Sequence, residues 1–325
     1  MKLNISAGLW VFGDFAERYV PGGYHDEIDF ERQLEIMSGI EGLDGIGIVY
    51  PTYPLPDDPD KLVEKLSDFN LKVGDITVDN YGDRKWRQGA FSSNEEKIRK
   101  DNIDICKETI DFAAQIPGTT VTTWPAHDGF DYSFQTNYRD GWKYLVESYK
   151  EICSYNSNVK IAVEYKPKDP RQRQYVSNVG KTMMLLNDVD MDNIMAALDT
   201  GHALMSQENL AEDVVLLDSH DKLGTIHLNE NYRDSDPDLI FGTIVFWENI
   251  EMYYYLNKTG FKGWNEIDIV SPRDDRIKSL KITVKMALKY KELADRLNGH
   301  SEVLDKNLDN YRFADNMELI TDLIF

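Results

Sequence analysis

Short apolar runs alternate with longer amphipathic segments along nearly all of the 325 residues. The short runs have the length and composition of buried strands, and apolar positions recur at spacings of three and four in the longer segments, as in helices. The predicted strands are residues 3–10, 45–50, 73–78, 119–124, 160–165, 194–199, 224–228 and 266–270. The predicted helices are residues 29–40, 61–69, 94–115, 138–153, 180–187, 210–217, 247–258 and 274–293. Eight strand–helix repeats predict an α/β fold, a single closed (β/α)₈ TIM barrel.

An open, doubly wound sheet is the alternative topology. The first predicted strand is not followed by the Gly-x-Gly-x-x-Gly pattern that is typical of such sheets. Because no linker interrupts the repeats, residues 1–297 are predicted to form one barrel domain. Residues 298–325 mix charged and apolar side chains, and we expect them to form a C-terminal extension that packs on the barrel or on a neighbouring subunit.

The charge balance restricts the partners of the chain. With 57 acidic and 36 basic residues the net charge is −21, which disfavours nucleic acid and anionic membranes as partners and also promotes solubility. No apolar run is long enough for a membrane helix, and the N-terminus resembles a first strand more than a signal peptide. Cys106 and Cys153 lie in predicted helices and form no paired motif, so a cytoplasmic location is expected.

Metal-ligand residue types lie at the ends of four consecutive predicted strands. Glu164, Asp199 and His227 end the fifth, sixth and seventh strands, and the eighth carries Glu266 and Asp268 on one face. Asp268 is the better candidate because it lies nearer the C-terminal end, where barrels place their chemistry. A single carboxylate there often caps a helix or forms an ion pair, but four ligand types in series favour a divalent cation. Oxygen and imidazole donors suit Mn²⁺, with Mg²⁺ or Co²⁺ as alternatives.

A second set of candidates lies close by in the sequence. His202 follows Asp199 by three residues, and Asp236 and Asp238 are spaced to share one side of an extended loop. These residues could hold a second cation, with Asp199 bridging the two. The alternative is that the segment DSDPDL only forms a turn and a helix cap.

Other side chains near the strand ends are candidates for binding and catalysis. Lys166 shares a face with Glu164, where it could polarise a substrate oxygen or simply hold Glu164 by an ion pair. Trp10 and Trp124 end the first and fourth predicted strands, as walls for a sugar ring or as core packing. His127 follows the fourth strand and is a candidate general base, although a surface histidine is an equal alternative.

In chain order, several segments resemble the xylose-isomerase-like barrel superfamily of sugar isomerases and epimerases. They are GLWVFG, TTWPAHDG, EYKPKDPR, LDTGH, DPDLIFG and EIDIVSPR. The resemblance implies metal ligands at Glu164, Asp199 and Asp268, and ligands of a second metal at His202, Asp236 and Asp238. It also implies substrate-facing tryptophans at Trp10 and Trp124 and a substrate-contacting lysine at Lys166. His202 and Glu266 are further candidates for substrate contacts.

The sequence also departs from xylose isomerase itself. His227 stands where that enzyme has an aspartate, and the segment YPTYP after the second strand lacks its His-x-x-Asp pair for ring opening. The ligand set is more similar to rhamnose isomerase and the ketose 3-epimerases. The expected function is therefore a metal-dependent isomerase or epimerase, a homo-oligomer, acting on an unphosphorylated sugar by enediolate proton transfer or by hydride shift.

Two alternatives remain open. The superfamily also contains the catalytic subunits of C-glycoside deglycosidases, which cleave 3-keto C-glycosides by elimination and work with a small β subunit. In that reaction His127 would be the base. A non-catalytic sugar-binding barrel is the other alternative.

Overall fold

The strands close into a barrel. The structure is a computed structural model that describes residues 2–52, 56 and 58–325, so part of the segment YPTYP, residues 53 and 54, lies outside the described residues. In chain order the strands are β1 (Asn4–Gly8), β2 (Gly45–Tyr50), β3 (Lys72–Val78), β4 (Thr120–Thr123), β5 (Gly129–Phe130), β6 (Ile161–Glu164), β7 (Arg173–Gln174), β8 (Ile194–Asp199), β9 (Leu223–Leu228) and β10 (Trp264–Ile267). All but β5 and β7 form one closed sheet in the order β1-β10-β9-β8-β6-β4-β3-β2. The barrel predicted from the alternation is therefore confirmed.

Helices cover the outside of the barrel. They are α1 (Phe30–Ser38), α2 (Pro59–Asp68), α3 (Glu96–Ala113), α4 (Tyr138–Tyr155), α5 (Val179–Val189), α6 (Thr200–Met205), α7 (Leu210–Asp218), α8 (Phe246–Thr259), α9 (Arg276–Asn298), α10 (Ser301–Asp309) and α11 (Phe313–Ile324). Short 3₁₀ helices span Leu9–Phe12 and Arg84–Trp86. Many helices begin at an Asp or Asn side chain that accepts a backbone N–H of the first turn, as at Asp29, Asn137, Asn178, Asn209 and Asp275.

Parallel pairing brings the strand ends to one rim. β1 pairs with β10 and with β2, and this double pairing closes the sheet. Strand side chains are buried on both faces, because helices pack outside and the barrel interior is filled inside. β5 and β7 form a separate antiparallel pair beyond β4 and β6.

The first strand is shorter than predicted. β1 ends at Gly8, and the chain continues as the 3₁₀ helix that contains Trp10. The Trp10 ring folds back over Gly8, where an added Cβ would lie 2.2 Å from ring carbons. Only glycine leaves room for that contact, so Trp10 reaches the rim from a turn and not from a strand end.

The segment after Asn298 forms two further helices. α10 and α11 lie against α8 and α9, and the Phe325 ring stacks on Phe246 with centroids 6.1 Å apart. A largely apolar cavity of about 480 Å³ lies among these helices. Among the described residues, no helix is both long and apolar enough to cross a membrane. Cys106 in α3 and Cys153 in α4 are buried and unpaired.

Candidate metal centre and substrate cavity

Four predicted ligand side chains converge at the rim. Glu164 and Asp199 end β6 and β8, His227 lies in β9, and Asp268 follows β10 by one residue. Each offers one ligand atom, and these atoms all lie within 4.8 Å of one another. The four strands are consecutive in the barrel, with Asp199 in register with His227 and His227 in register with Glu266. The register thus explains why residues far apart in sequence meet.

His227 lies at the centre of this cluster. Its Nδ1 is 3.5 Å from Glu164 Oε2 and 3.7 Å from Asp268 Oδ2. Within the described part of the chain, neither ring nitrogen has a hydrogen-bond partner, although the residue is only 1% exposed. Burial lowers the pKa of His227, but the negative charges of Glu164 and other carboxylates outweigh it and raise that pKa well above its ordinary value.

Asp199 has two roles in the local structure. Its Oδ1 caps α6 by accepting the His202 N–H at 2.7 Å, and its Oδ2 accepts from Asn229 Nδ2 at 2.7 Å. Burial, together with the charges of Glu164 and Asp236, raises the pKa of Asp199 to about 7, although His202 opposes this. The helix-cap alternative therefore describes Asp199 correctly, and the same carboxylate still faces the cluster.

The cluster fits a divalent cation. Among the described residues, both buried nitrogens of His227 lack hydrogen-bond partners, and the buried carboxylates of Glu164 and Asp199 crowd together with the half-buried one of Asp268. Burying such groups without a counter-charge is costly, and a cation would relieve both the desolvation and the repulsion. Three carboxylates and one imidazole are a donor set suited to Mn²⁺, Mg²⁺ or Co²⁺.

The candidates for a second metal form an ion-pair network. Lys166 Nζ lies 2.6 Å and His202 Nε2 lies 3.1 Å from the same oxygen, Oδ2 of Asp236. His202 Nδ1 in turn lies 3.2 Å from Glu164 Oε1. Burial opposes the charge on Lys166, but Asp236 and Asp238 outweigh it and raise the pKa of the ammonium above its ordinary value. Asp236 therefore has two cationic partners without any metal.

These side chains line a cavity of about 260 Å³ with aromatic walls. Trp10 Nε1 donates to Asp268 Oδ1, which ties one wall to the metal cluster. Lys166 Nζ lies 4.8 Å from the ring centroid of Trp124, and Tyr81 meets Trp124 edge-on at 5.0 Å. Asp238 also lines the cavity. The cavity is thus acidic at its base and aromatic at its sides.

Two predicted site residues lie elsewhere. His127 Nε2 is 3.1 Å from the backbone oxygen of Tyr81, and the side chain is not among the described ones that line the cavity. His127 lies in a turn that begins after Trp124, where the Ala126 N–H donates to the Trp124 oxygen and the Asp128 N–H donates to the Pro125 oxygen. Glu266 is fully buried beneath the cavity, where its Oε2 accepts from Ser6 Oγ at 2.9 Å.

Tyr81, Thr77 and Val270 also line the cavity and Asp75 lies below it, although none of the four was predicted from the sequence. None belongs to a recognisable motif. Asp75 carried a usable signal, because a carboxylate inside an apolar strand is rarely buried without a specific role.

The chain forms a closed (β/α)₈ barrel with a histidine–carboxylate cluster and a cavity at the C-terminal ends of its strands. This arrangement is typical of TIM barrels, which carry their functional residues at this rim. Residues 23–290 match the family profile described as xylose isomerase-like TIM barrel, and the chain belongs to that family.

The comparisons with individual proteins agree with this assignment. The chain is 23% identical over 279 residues to the xylose isomerase of Thermus thermophilus, an alignment that covers 80% of this chain and 71% of the relative. An L-ribulose 3-epimerase structure superposes with a TM-score of 0.71 at 17% identity, covering 93% of this chain and 98% of that one. A D-tagatose 3-epimerase-like protein gives a TM-score of 0.68 at 19% identity, covering 89% and 98%. At these identities the structural likeness shows a shared fold.

Proposed function

We propose that the protein is a metal-dependent sugar isomerase or epimerase that acts on a small unphosphorylated sugar by proton transfer. The observation that carries this proposal is the convergence of Glu164, Asp199, His227 and Asp268 within 4.8 Å at the base of an aromatic-walled cavity. The sequence relative named above is a xylose isomerase, which supports a sugar as substrate.

Those four side chains would hold the cation, with Mn²⁺ as the preferred metal and Mg²⁺ or Co²⁺ as alternatives. A bound divalent cation would polarise sugar oxygens and stabilise the negative charge that develops on them. The protein's own contribution is to hold three carboxylates, two buried and one half-buried, close to a buried imidazole before the substrate arrives.

The cavity favours an uncharged substrate. A phosphate group would face the carboxylates that lie in or beside the cavity, Glu164, Asp199, Asp236, Asp238 and Asp268. Lys166, the lysine among the lining residues, is already paired with Asp236. The faces of Trp10 and Trp124 can instead pack against the C–H surface of a sugar ring or chain. A volume of about 260 Å³ suits one small sugar.

Glu164 and Asp268 are suited to exchange protons with carbon. Burial opposes the ionisation of Glu164, but the charges of His227, His202 and Lys166 outweigh it and lower the pKa of Glu164. Burial raises the pKa of Asp268 above its ordinary value, and the Glu164 charge adds to this against the attraction of His227. A bound cation would lower the pKa of both carboxyl groups, so their proposed roles rest on position: both line the cavity beside His227, where a substrate carbon could approach them.

We further infer that the cavity holds one cation. The second-metal candidate Asp236 is already neutralised by Lys166 and His202, so a second cation would have to displace an ammonium group held at 2.6 Å. With one cation, proton transfer through an enediolate is favoured over a hydride shift that needs a second metal.

The test combines metal counting with an isotope. Chelator-treated protein is reloaded with Mn²⁺ and incubated with free aldoses and ketoses in D₂O. The expected result is one metal per chain, metal-dependent turnover and one deuterium at the reacting carbon of the product. Two metals per chain with no deuterium taken up would establish hydride shift. Activity only on 3-keto glycosides, in the presence of a small partner protein, would instead identify a deglycosidase.

Variants give the matched control for this test. Glu164→Gln keeps the size of the side chain but removes a ligand charge, and we expect metal binding and turnover to fall together. Glu64→Gln removes the same charge from an exposed position in α2 and serves as the control. Full turnover by Glu164→Gln would contradict the metal-centred proposal.

We also propose a cytoplasmic, homo-oligomeric protein. The two cysteines are unpaired and buried, as expected for a reducing compartment. Analytical ultracentrifugation of the purified chain would test the oligomeric state, and a stable monomer would contradict it.

A further inference from the structure

A second layer of polar side chains lies directly beneath the metal cluster. Asp75 of β3 and Glu266 of β10 approach His227 from below, and ligand-type atoms of the three residues lie within 4.8 Å of one another. Asp75 and Glu266 are fully buried, and His227 is 1% exposed. Layers inside a barrel are normally filled by branched apolar side chains. Two carboxyl groups there carry a desolvation cost that a purely packing role does not explain.

Hydroxyl groups fix the orientation of both carboxyl groups. Thr122 Oγ1 donates to Asp75 Oδ1 at 2.7 Å, and Ser6 Oγ donates to Glu266 Oε2 at 2.9 Å. The other oxygen of Asp75, Oδ2, lies 4.0 Å from His227 Nε2. This separation is about 1 Å longer than a hydrogen bond, and the hydrogen bonds of a functional site are often long before the site is filled.

The two nitrogens of His227 face different groups. Nδ1 faces Glu164 and Asp268, which belong to the metal cluster, whereas Nε2 faces Asp75. A neutral imidazole has one nitrogen with a lone pair and one that carries hydrogen. A carboxylate beside Nε2 stabilises the hydrogen there and leaves the Nδ1 lone pair directed at the metal.

We propose that Asp75 is a positioning residue that fixes the tautomer and orientation of His227, so that Nδ1 is the metal ligand. This inference rests on the proposed function, because it requires a cation at His227. A cation held among Asp75, His227 and Glu266 is the competing explanation of the polar layer. It is disfavoured because both ring nitrogens of His227 would then have to act as ligands, which requires an imidazole without any N–H.

The test uses Co²⁺ as a probe with the full chain after treatment with chelator. Calorimetry measures the Kd and the number of Co²⁺ ions bound. Proton NMR of the Co²⁺-loaded protein measures how fast a paramagnetically shifted ligand N–H exchanges with water. For Asp75→Asn we expect a Kd raised by about 10- to 100-fold and faster exchange of that N–H. The matched control is Glu266→Gln, which removes a carboxyl group from the same buried layer. Its Kd should change much less.

A second variant covers the case in which Asp75→Asn does not fold. Thr122→Val removes the hydroxyl that orients Asp75 and leaves every charge in place. It should speed the N–H exchange and weaken Co²⁺ binding in the same direction as Asp75→Asn, but less.

The outcomes separate this inference from the proposed function. If the unsubstituted protein binds no Co²⁺, the proposed function fails and the role of Asp75 fails with it. If that protein binds Co²⁺ but substitution of Asp75 or Thr122 changes neither Kd nor exchange, only the role of Asp75 is overturned. Equal losses in Asp75→Asn and Glu266→Gln, together with a second Co²⁺ ion in the unsubstituted protein, would establish the buried cation site instead.

Discussion

Two acidic residues, the buried Asp213 and the half-buried Glu208, predict an unusual dependence of stability on pH. Tyr165 follows Glu164 in the chain, and its hydroxyl donates to Asp213 Oδ2 on α7 at 3.2 Å. Glu208 Oε1 accepts the Val179 N–H at 2.9 Å. Burial raises the pKa of Asp213 to about 8, with a further contribution from the Glu208 charge, and burial raises the pKa of Glu208 to about 7.

The sign follows from proton linkage. An unfolded aspartate releases its proton near pH 3.8, whereas folded Asp213 keeps it up to about pH 8. Between these values the folded state binds a proton that the unfolded state has lost, so this group lowers the free energy of unfolding as pH rises. The slope for one such group is at most about 1.4 kcal/mol per pH unit.

Asp213→Asn removes this titration and keeps an oxygen that can accept from Tyr165. We expect the free energy of unfolding of Asp213→Asn, minus that of the unsubstituted protein, to increase by up to about 3 kcal/mol as pH rises from 5 to 7. Urea unfolding of chelator-treated protein at pH 5, 6 and 7 measures this difference. Contributions of other groups to the pH dependence cancel in the comparison.

A distant glutamate gives the matched control, because the Glu212 charge beside Asp213 itself contributes to the raised pKa of Asp213. Glu64 is exposed on α2, so Glu64→Gln removes a carboxylate without any change in burial, and its difference from the unsubstituted protein should vary little with pH. Parallel stability curves for Asp213→Asn and the unsubstituted protein would refute the reasoning. So would a larger loss of stability at pH 7 than at pH 5, because Asp213 would then be ionised in the folded state.

Three further predictions concern the metal cluster, the loop before α8 and the wall of the cavity. Mn²⁺ at 100 times its Kd should stabilise the unsubstituted protein by about 2.7 kcal/mol and raise its Tm. Glu164→Gln should lose most of this rise in Tm, and an unchanged rise would contradict the role of Glu164 as a ligand. The Glu230 carboxylate accepts hydrogen bonds from the backbone N–H groups of residues 242–244, so Glu230→Gln should destabilise the loop before α8 by about 1–3 kcal/mol. Amide hydrogen exchange in residues 231–244 should become faster, and unchanged exchange would contradict this. Trp124→Ala removes a wall of the cavity, so it should raise KM for the sugar by about tenfold with a smaller effect on kcat. A decrease in kcat with unchanged KM would contradict a role of Trp124 in binding.

The convergence of Glu164, Asp199, His227 and Asp268 could be predicted from the sequence because it depends on local rules. Each residue ends or follows a short apolar run, and parallel strands in a barrel bring such ends to one rim. The two-residue spacing of Glu164 and Lys166 also predicted that both face the cavity, and both line it.

What could not be predicted depends on the closure of the barrel. Asp75 lies near His227 across the barrel interior, although their strands, β3 and β9, do not pair with each other. The residues around Asp75 in the sequence do not predict which side chain lies opposite it. The same holds for Tyr81, which reaches the cavity from the loop after β3. His127 shows the converse: it follows a strand end, but it is not among the described residues that line the cavity, and its role as a general base stays a prediction.

The balance of charge in the cavity connects these observations. A single divalent cation would offset two of the three carboxylate charges in the cluster, and His227 would supply a neutral ligand where a further carboxylate would add repulsion. On the other side of the cavity, Lys166 and His202 offset Asp236. The end of β6 thus provides Glu164, a proposed ligand of the cation, and, two residues later, the Lys166 ammonium that pairs with Asp236. The side chains of the Lys166–Asp236 pair are buried, so removal of Lys166 would leave the Asp236 carboxylate without that charge partner. Substitution of Lys166 should therefore reduce stability in addition to removing any contact with substrate.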